Sequence, residues 1–305
     1  MYTESMVENT KRVVRAAATN QLARFFPRVY VQLTGETGRG RGEESAQGVA
    51  EYFRRCFDDY FTKLNIADAA QALRGRTVLE YGPGDVPAMA LLMYAYGADK
   101  VYCVDRFPLV STTDKNQQIL QALLDSLGPE QRQRAETAFT TPGRVDSGIR
   151  PEAIEYLVRP SGLSGLREQA DLVISRAVLE HVDDLGATFR DMHAAMKADA
   201  TAIHQVDLKS HGLHQRNPLD FLTWPRMLWS VMYSNKGSPN RWRVDHYRAL
   251  IDENRFERVL LEPTELAAQA DIDAVRPHLA APFRSLSDED LAWLGFWTIL
   301  RKPVH

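Results

Sequence analysis

Cysteine is nearly absent from this chain: Cys56 and Cys103 are the only two in 305 residues. They lie far apart, without metal-ligand spacing, so neither a disulfide framework nor a zinc site is implied. A surplus of either charge is also absent. Lys and Arg total 37 against 40 Asp and Glu, a formal net charge of −3, which lacks the broad basic footprint of a protein that coats nucleic acid. No run approaches the roughly 20 apolar residues of a membrane span. The N-terminus, Met1 to Arg15, mixes acids and bases with no apolar signal-peptide core. These absences predict a protein of the reducing cytoplasm, with no membrane partner. What is present is an ordinary globular composition, 44% hydrophobic, long enough for two domains or for one domain with generous additions.

The first seventy-odd residues read as helices broken by a loop. Val7–Phe26 is expected to be helical, and the stretch 34–42 carries too much glycine for regular structure. A second helix is expected from Ser45 to Leu64, where Val49, Tyr52, Phe53, Cys56, Phe57, Tyr60 and Phe61 recur at helical spacing and predict a core-facing stripe. From Thr77 onward, short apolar runs alternate with helical patterns, the signature of βα units on a parallel sheet. Strands are expected at Thr77–Glu80, Val101–Val104, Ile154–Val158, Asp171–Ser175, Thr201–Val206, Phe256–Leu261 and Gly295–Arg301. The reading is an α/β, doubly wound, seven-stranded, mostly parallel sheet with helices on both faces. Residues 1–74 form an N-terminal helical cap on residues 75–305. The segment 208–243, rich in Trp and Met, is too long for a simple connection and is expected to be a lid inserted after the fifth strand.

The first strand runs into Glu80-Tyr81-Gly82-Pro83-Gly84-Asp85-Val86-Pro87 and then an apolar helix that ends at Gly97. Glycines at 82 and 84 permit a tight turn and close approach of a ligand, and Pro87 suits the first turn of a helix. The second strand ends at Asp105, 21 residues beyond Gly84, near the spacing of about 20 expected for a carboxylate on ribose hydroxyls. A dinucleotide site would need glycine at position 87, where Pro87 stands, and Glu80 and Asp85 would repel a pyrophosphate. A cationic nucleotide fits better.

These residues resemble the class I S-adenosylmethionine-dependent methyltransferases. Val78 to Asp85 is similar to the family's first motif and Val104-Asp105 to its ribose-binding motif. Leu172 to Val182, with the run Leu179-Glu180-His181, is similar to its fourth-strand segment. More narrowly, the chain resembles bacterial type 11 methyltransferases of small-molecule and polysaccharide pathways. The sequence departs from the family where Val86 replaces a common third glycine and Arg176 replaces a smaller polar residue. The resemblance implies a Rossmann-like fold and S-adenosylmethionine as cofactor, with S-adenosylhomocysteine as product. It also implies cofactor contacts from Glu80, Tyr81, Gly82, Gly84, Asp105, Arg106, Ser175 and Arg176, with Glu80 on the amino end, Asp105 on the ribose diol and Arg106 beside the adenine.

Methyl transfer to a hydroxyl needs alignment and a base, and histidine is the natural base at neutral pH. His181 follows the fourth strand, while His204, Asp207, His211 and His214 gather at the end of the fifth. The catalytic candidates are His181, Asp207, His211 and His204. Their spacing matches no recurrent metal-ligand pattern, and no metal is expected. Arg216, Arg226, Arg241, Arg243 and Arg248 accompany Trp224, Trp229, Tyr233 and Trp242 in and around the insertion. Most of them are expected to be the ordinary arginines and tryptophans of a packed surface; the functional readings are a pocket for an acidic or phosphorylated small molecule and, second, a pocket that stacks an exposed RNA base. The expected activity is therefore O-methylation of a small molecule, in a monomer or a homodimer. The rivals are cyclisation of the cofactor's own aminobutyryl chain and a cofactor-binding protein without turnover.

Overall fold

A computed structural model describes residues 6–26, 29–30, 33, 45–213, 217–236 and 238–304. The glycine-rich stretch 34–42, His214 and Arg216 lie outside the described residues. The strands are β1 (Thr77–Tyr81), β2 (Lys100–Asp105), β3 (Ile154–Val158), β4 (Ala170–Arg176), β5 (Met196–Asp207), β6 (Glu257–Leu266) and β7 (Trp293–Arg301). They form one seven-stranded sheet in the order β3-β2-β1-β4-β5-β7-β6. All pairings among β1 to β5 are parallel, and β7 runs antiparallel to both β5 and β6. The expected doubly wound, Rossmann-like sheet is the one observed. β6 and β7 run beyond their expected ends because their antiparallel ladder continues past Pro263, at the sheet edge, to Leu266 and Trp293, where a missing N–H is tolerated.

Alternation along each strand sends successive side chains to opposite faces. Val78, Cys103, Ile174 and Ile203 pack on one face with helices α2 (Ala46–Lys63), α4 (Ala88–Ala95) and α5 (Asp114–Ser126); a short α3 (Ala69–Leu73) precedes β1 and α6 (Pro129–Glu136) follows α5. Leu79, Val173, Ala202 and Val206 pack on the other face with α7 (Leu185–Ala195) and α9 (Val244–Glu253). Caps set the helix starts: Ser45 Oγ accepts from Gly48 N at 3.0 Å, opening α2, and Asp184 Oδ1 accepts from Ala187 N at 2.8 Å, opening α7. Of the aromatic stripe on α2, all are buried except Tyr52, which lies at the edge of the helix contact.

A third apolar core lies apart from the sheet. Phe221, Leu222, Trp229, Met232 and Tyr233 of the insertion pack with Ile272, Val275, Leu279 and Phe283 and with Ala16 of α1 (Met6–Phe25). The insertion holds α8 (Arg226–Tyr233), while α10 (Gln269–Val275) and α11 (Asp288–Ala292) come from the β6–β7 connection. α1 is tied to α8 through Asn20, whose Nδ2 donates to Val231 O at 2.9 Å and whose Oδ1 accepts from Asn235 N at 2.7 Å. The N-terminal helices thus divide: α2 covers the sheet and α1 covers the insertion. No described helix is long and apolar enough to cross a membrane.

Candidate cofactor and acceptor site

The strand order reverses between β1 and β4, and in open α/β sheets the ligand crevice forms at the carboxyl ends of the strands flanking that reversal. β1 ends there in Glu80 and Tyr81, and β4 in Ser175 and Arg176. Gly82 follows with φ of +67° and Gly84 with φ of +73°. A Cβ at Gly82 would meet Val178 Cγ2 at 2.4 Å, so the turn closes against the segment after β4 only because the side chain is missing. Gly82 N donates to Val104 O at 2.9 Å, fixing the turn to the end of β2.

Glu80 and Asp105 are acids in need of a partner. Glu80 is buried, its Oε2 accepts from the Cys103 thiol at 3.5 Å, and no cation pairs with it among the described residues. Burial pushes its pKa up to about 7, with Asp105 adding to the rise and the Cys103 hydrogen bond opposing it. Asp105 is likewise pushed up to about 6 by burial, against the backbone N–H groups of Phe107 and Arg106. An ammonium fits beside Glu80 and a pair of ribose hydroxyls beside Asp105. S-adenosylmethionine carries both, together with an α-carboxylate. Arg176, at the end of β4, pairs with Asp59 of α2 at 2.9 Å and lies over the Trp297 ring at 5.5 Å. Tyr60 feels the charge of both Glu80 and Arg176, which places the two on one side of the sheet.

The other expected contacts are placed differently. Tyr81 points to the opposite face, where its hydroxyl donates to Asp191 Oδ2 at 2.6 Å; the same carboxylate accepts from the backbone N–H groups of Ser164 and Gly165. Ser175 and His204 lie side by side in the core, Ser175 Oγ 2.7 Å from His204 Nδ1, with His204 Nε2 3.0 Å from Met192 Sδ of α7. The side chains at positions 81, 175 and 204 alternate onto the face under α7, away from those of Glu80 and Arg176. His204 is fully buried, and burial drives its pKa down to about 3, so it is a neutral core histidine rather than a base. Arg106 is held by Asp183 at 2.5 Å and by the Phe107 ring at 5.3 Å, so its guanidinium is already engaged.

At the ends of β4 and β5 a polar cluster forms. His181 and His211 meet edge to face, their ring centroids 4.7 Å apart with planes at 76°. Nε2 of each lies 4.0 Å from Glu180 Oε1, and His211 Nε2 is also 4.0 Å from Asp207 Oδ2. Asp207 N donates to Glu180 Oε1 at 3.3 Å. Glu180 is buried, and burial holds its carboxyl well above the usual range. Three of the expected catalytic residues therefore come together around a fourth that the sequence reading quoted only as part of a motif. Glu180, His181 and His211 are also the donor set best placed to hold a metal ion, their ligand atoms all within 4.8 Å of one another.

Arg241, Arg243 and Arg248 are held by this chain's own groups, while Arg226 is exposed. Arg241 donates to Phe221 O at 3.2 Å and to Trp224 O at 2.7 Å, Arg243 reaches the carbonyls of Leu208, Leu291 and Trp293, and Arg248 pairs with Asp290. Asp59, Tyr52 and Tyr60 of α2 went unrecognised as site neighbours, since only their helical spacing was visible. Asn116 was missed as well; its Nδ2 donates to Asp85 O at 2.9 Å and anchors the glycine turn.

A family profile described as a methyltransferase domain matches residues 51–259. The chain belongs to that family and is a class I, S-adenosylmethionine-dependent methyltransferase. No curated protein matches it. Among solved structures it is similar to an S-adenosylmethionine-dependent methyltransferase from Mesorhizobium loti, at 18% identity and a TM-score of 0.42 over 76% of this chain and 95% of that one. A SAM-dependent methyltransferase from Methanosarcina mazei is similar at 17% identity and a TM-score of 0.42, over 76% of this chain and 94% of the other. The phosphoethanolamine N-methyltransferase 2 of Haemonchus contortus, in complex with S-adenosyl-L-methionine, is similar at 11% identity and a TM-score of 0.42, over 78% of this chain and 53% of that one.

Proposed function

We propose that this methyltransferase acts on a hydroxyl of a small-molecule acceptor, an O-methyl transfer by in-line displacement. The observation that carries the reading is the gathering of His181, His211 and Asp207 around Glu180 at the ends of β4 and β5. The sulfonium supplies a methyl group already activated toward attack, so the protein contributes alignment and a destination for the acceptor's proton. His181, His211 and Asp207 provide that destination. Their side chains are partly exposed, at 26%, 33% and 25%, and so within reach of an acceptor.

In this reading Glu80 holds the cofactor's ammonium, Arg176 its carboxylate and Asp105 its ribose diol, while Gly82 and Gly84 let the chain approach closely. Arg106 frames the adenine end through its pair with Asp183. Residues 1–74 act as a helical cap on the methyltransferase domain 75–305, and the insertion 208–243 shapes the acceptor side. The balanced overall charge favours a small acceptor over nucleic acid.

The test is a panel of hydroxyl-bearing small molecules incubated with S-adenosylmethionine and read by product mass. A methylated acceptor with S-adenosylhomocysteine is the expected product. His211→Ala should lower turnover about 100-fold and leave cofactor affinity, read by calorimetry, within twofold. Methylthioadenosine as product would mean chemistry on the cofactor's own chain, and normal turnover in the variant would remove His211 from the mechanism.

A further inference from the structure

Glu180 is 1% exposed, yet its Oε2 has no hydrogen-bond partner among the described residues, and its Oε1 accepts a long bond from Asp207 N at 3.3 Å. No Lys or Arg pairs with it among the described residues. A buried carboxylate in that state is strongly disfavoured unless positive charge compensates it. The Nε2 atoms of His181 and His211 each lie 4.0 Å from its Oε1. That separation is too long for a hydrogen bond. It is close to what two ligands sharing one ion need: donors about 2.1 Å from a common ion lie about 3.0–3.4 Å apart. A side-chain adjustment of about 1 Å at each histidine–Glu180 pair, with the ligand atoms all within 4.8 Å of one another, would close the site.

Backbone geometry adds an independent sign. His211 adopts φ of +52°, a left-handed conformation unfavourable for a residue with a side chain, and Gly212 follows at +79°. Such strain persists where the surrounding structure enforces it and gathers at binding and catalytic sites. Here it sits at the turn that sets His211 edge-on to His181.

We propose that Glu180, His181 and His211 bind a divalent first-row transition ion, of the zinc, manganese, cobalt or iron(II) class, with open positions toward the acceptor. Two imidazoles and one carboxylate select such ions over magnesium and calcium, which take oxygen donors. The inference rests on the methyl-transfer reading for its purpose: the acceptor's oxygen binds the ion, which makes its proton easier to lose. With both histidines on the ion, Asp207 alone takes that proton in place of the shared role given above, the oxygen bonds to the methyl carbon, and the carbon–sulfur bond breaks with its electron pair returning to sulfur. The ion's charge does not change.

The test titrates tag-free, chelator-washed full-length protein with Co²⁺, following the visible absorption of the bound ion, and with Zn²⁺ by calorimetry. One ion per chain is expected, with affinity at least about tenfold weaker in Glu180→Gln and in His211→Ala. His211 lies on a partly exposed turn, so that variant keeps the test alive if the buried substitution does not fold. Absence of saturable binding, or equal binding by both variants, overturns the proposal. Full methyl transfer in excess chelator, with no ion retained, overturns the ion and leaves the methyl-transfer reading standing. An ion bound by these residues in a protein that methylates no hydroxyl confirms the site and removes the O-methyl reading.

Discussion

The crevice and the insertion both bury charged side chains, but they treat them in opposite ways. In and around the insertion the buried guanidiniums donate to carbonyls of this chain, Arg241 to Phe221 and Trp224 and Arg243 to Leu208, Leu291 and Trp293, and only the Nε of each is left without a partner among the described residues. In the crevice, Glu80, Asp105 and Glu180 are buried acids that meet a weak thiol bond, two backbone N–H groups and one long backbone bond, with burial raising the pKa of each. Buried charge that is already satisfied holds a fold together, whereas buried charge left without a partner is kept for something that arrives later. Residue type does not separate the two regions. Arg241 and Arg243 serve the packing, the commoner of the readings that the arginine-rich segment allowed.

The sharpest way to break this contrast is Arg243→Met. Removing the guanidinium leaves three buried carbonyls without a donor, each worth about 1–3 kcal/mol. A loss of about 3 kcal/mol or more in denaturant unfolding is expected, with cofactor affinity in the folded fraction unchanged; a neutral result would mean that Arg243 is available for a ligand. Asp105→Ala comes next. It should weaken S-adenosylmethionine binding about 10- to 100-fold, the range of a hydrogen bond to a charged group, while unfolding stability holds or rises because an unfavourably buried acid has gone. A smaller effect, about tenfold, is expected for Arg176→Ala, since its charge is already shared with Asp59.

The remaining two predictions concern pH. Glu80 must be ionised to hold an ammonium, and its pKa in the free protein lies at about 7. Cofactor affinity should therefore climb as pH rises from about 5.5 to 7.5 and then level off, with a proton released on binding below neutrality; calorimetry in buffers of different ionisation enthalpy reads both. The smallest effect belongs to His204. With its folded pKa lowered to about 3 from an ordinary 6.5, the unfolded chain binds the extra proton between those values. The stability that its neutral form contributes is present above pH 6.5 and is lost as pH falls toward 3. His204→Asn should flatten that part of the acid-unfolding profile without altering cofactor affinity at neutral pH.

Much of the fold was legible because its signals are local. Short apolar runs marked all seven strands, the helical period marked the stripe on α2, and glycines at 82 and 84 with an acid 21 residues later pointed to the crevice. The site was only partly legible, because the face of a strand on which a side chain falls depends on register. Ser175 and Arg176 are neighbours in sequence, yet one joins His204 and Met192 in the core and the other turns toward α2 and Trp297. The dual role of the N-terminal region was equally hidden, since nothing in α1 announces that Asn20 will bond the backbone of residues 231 and 235.

By itself, the sequence determined the doubly wound sheet and the family, because hydrophobic period, turn glycines and motif spacing are properties of contiguous residues. Only the tertiary structure decided which polar groups are satisfied and which are not. It set Glu180 between two histidines and Asp207 that lie up to 31 residues away, and it left one oxygen of that carboxylate without a donor among the described residues. Burial and partnership arise from packing segments distant in the chain, and no local pattern of residues encodes them.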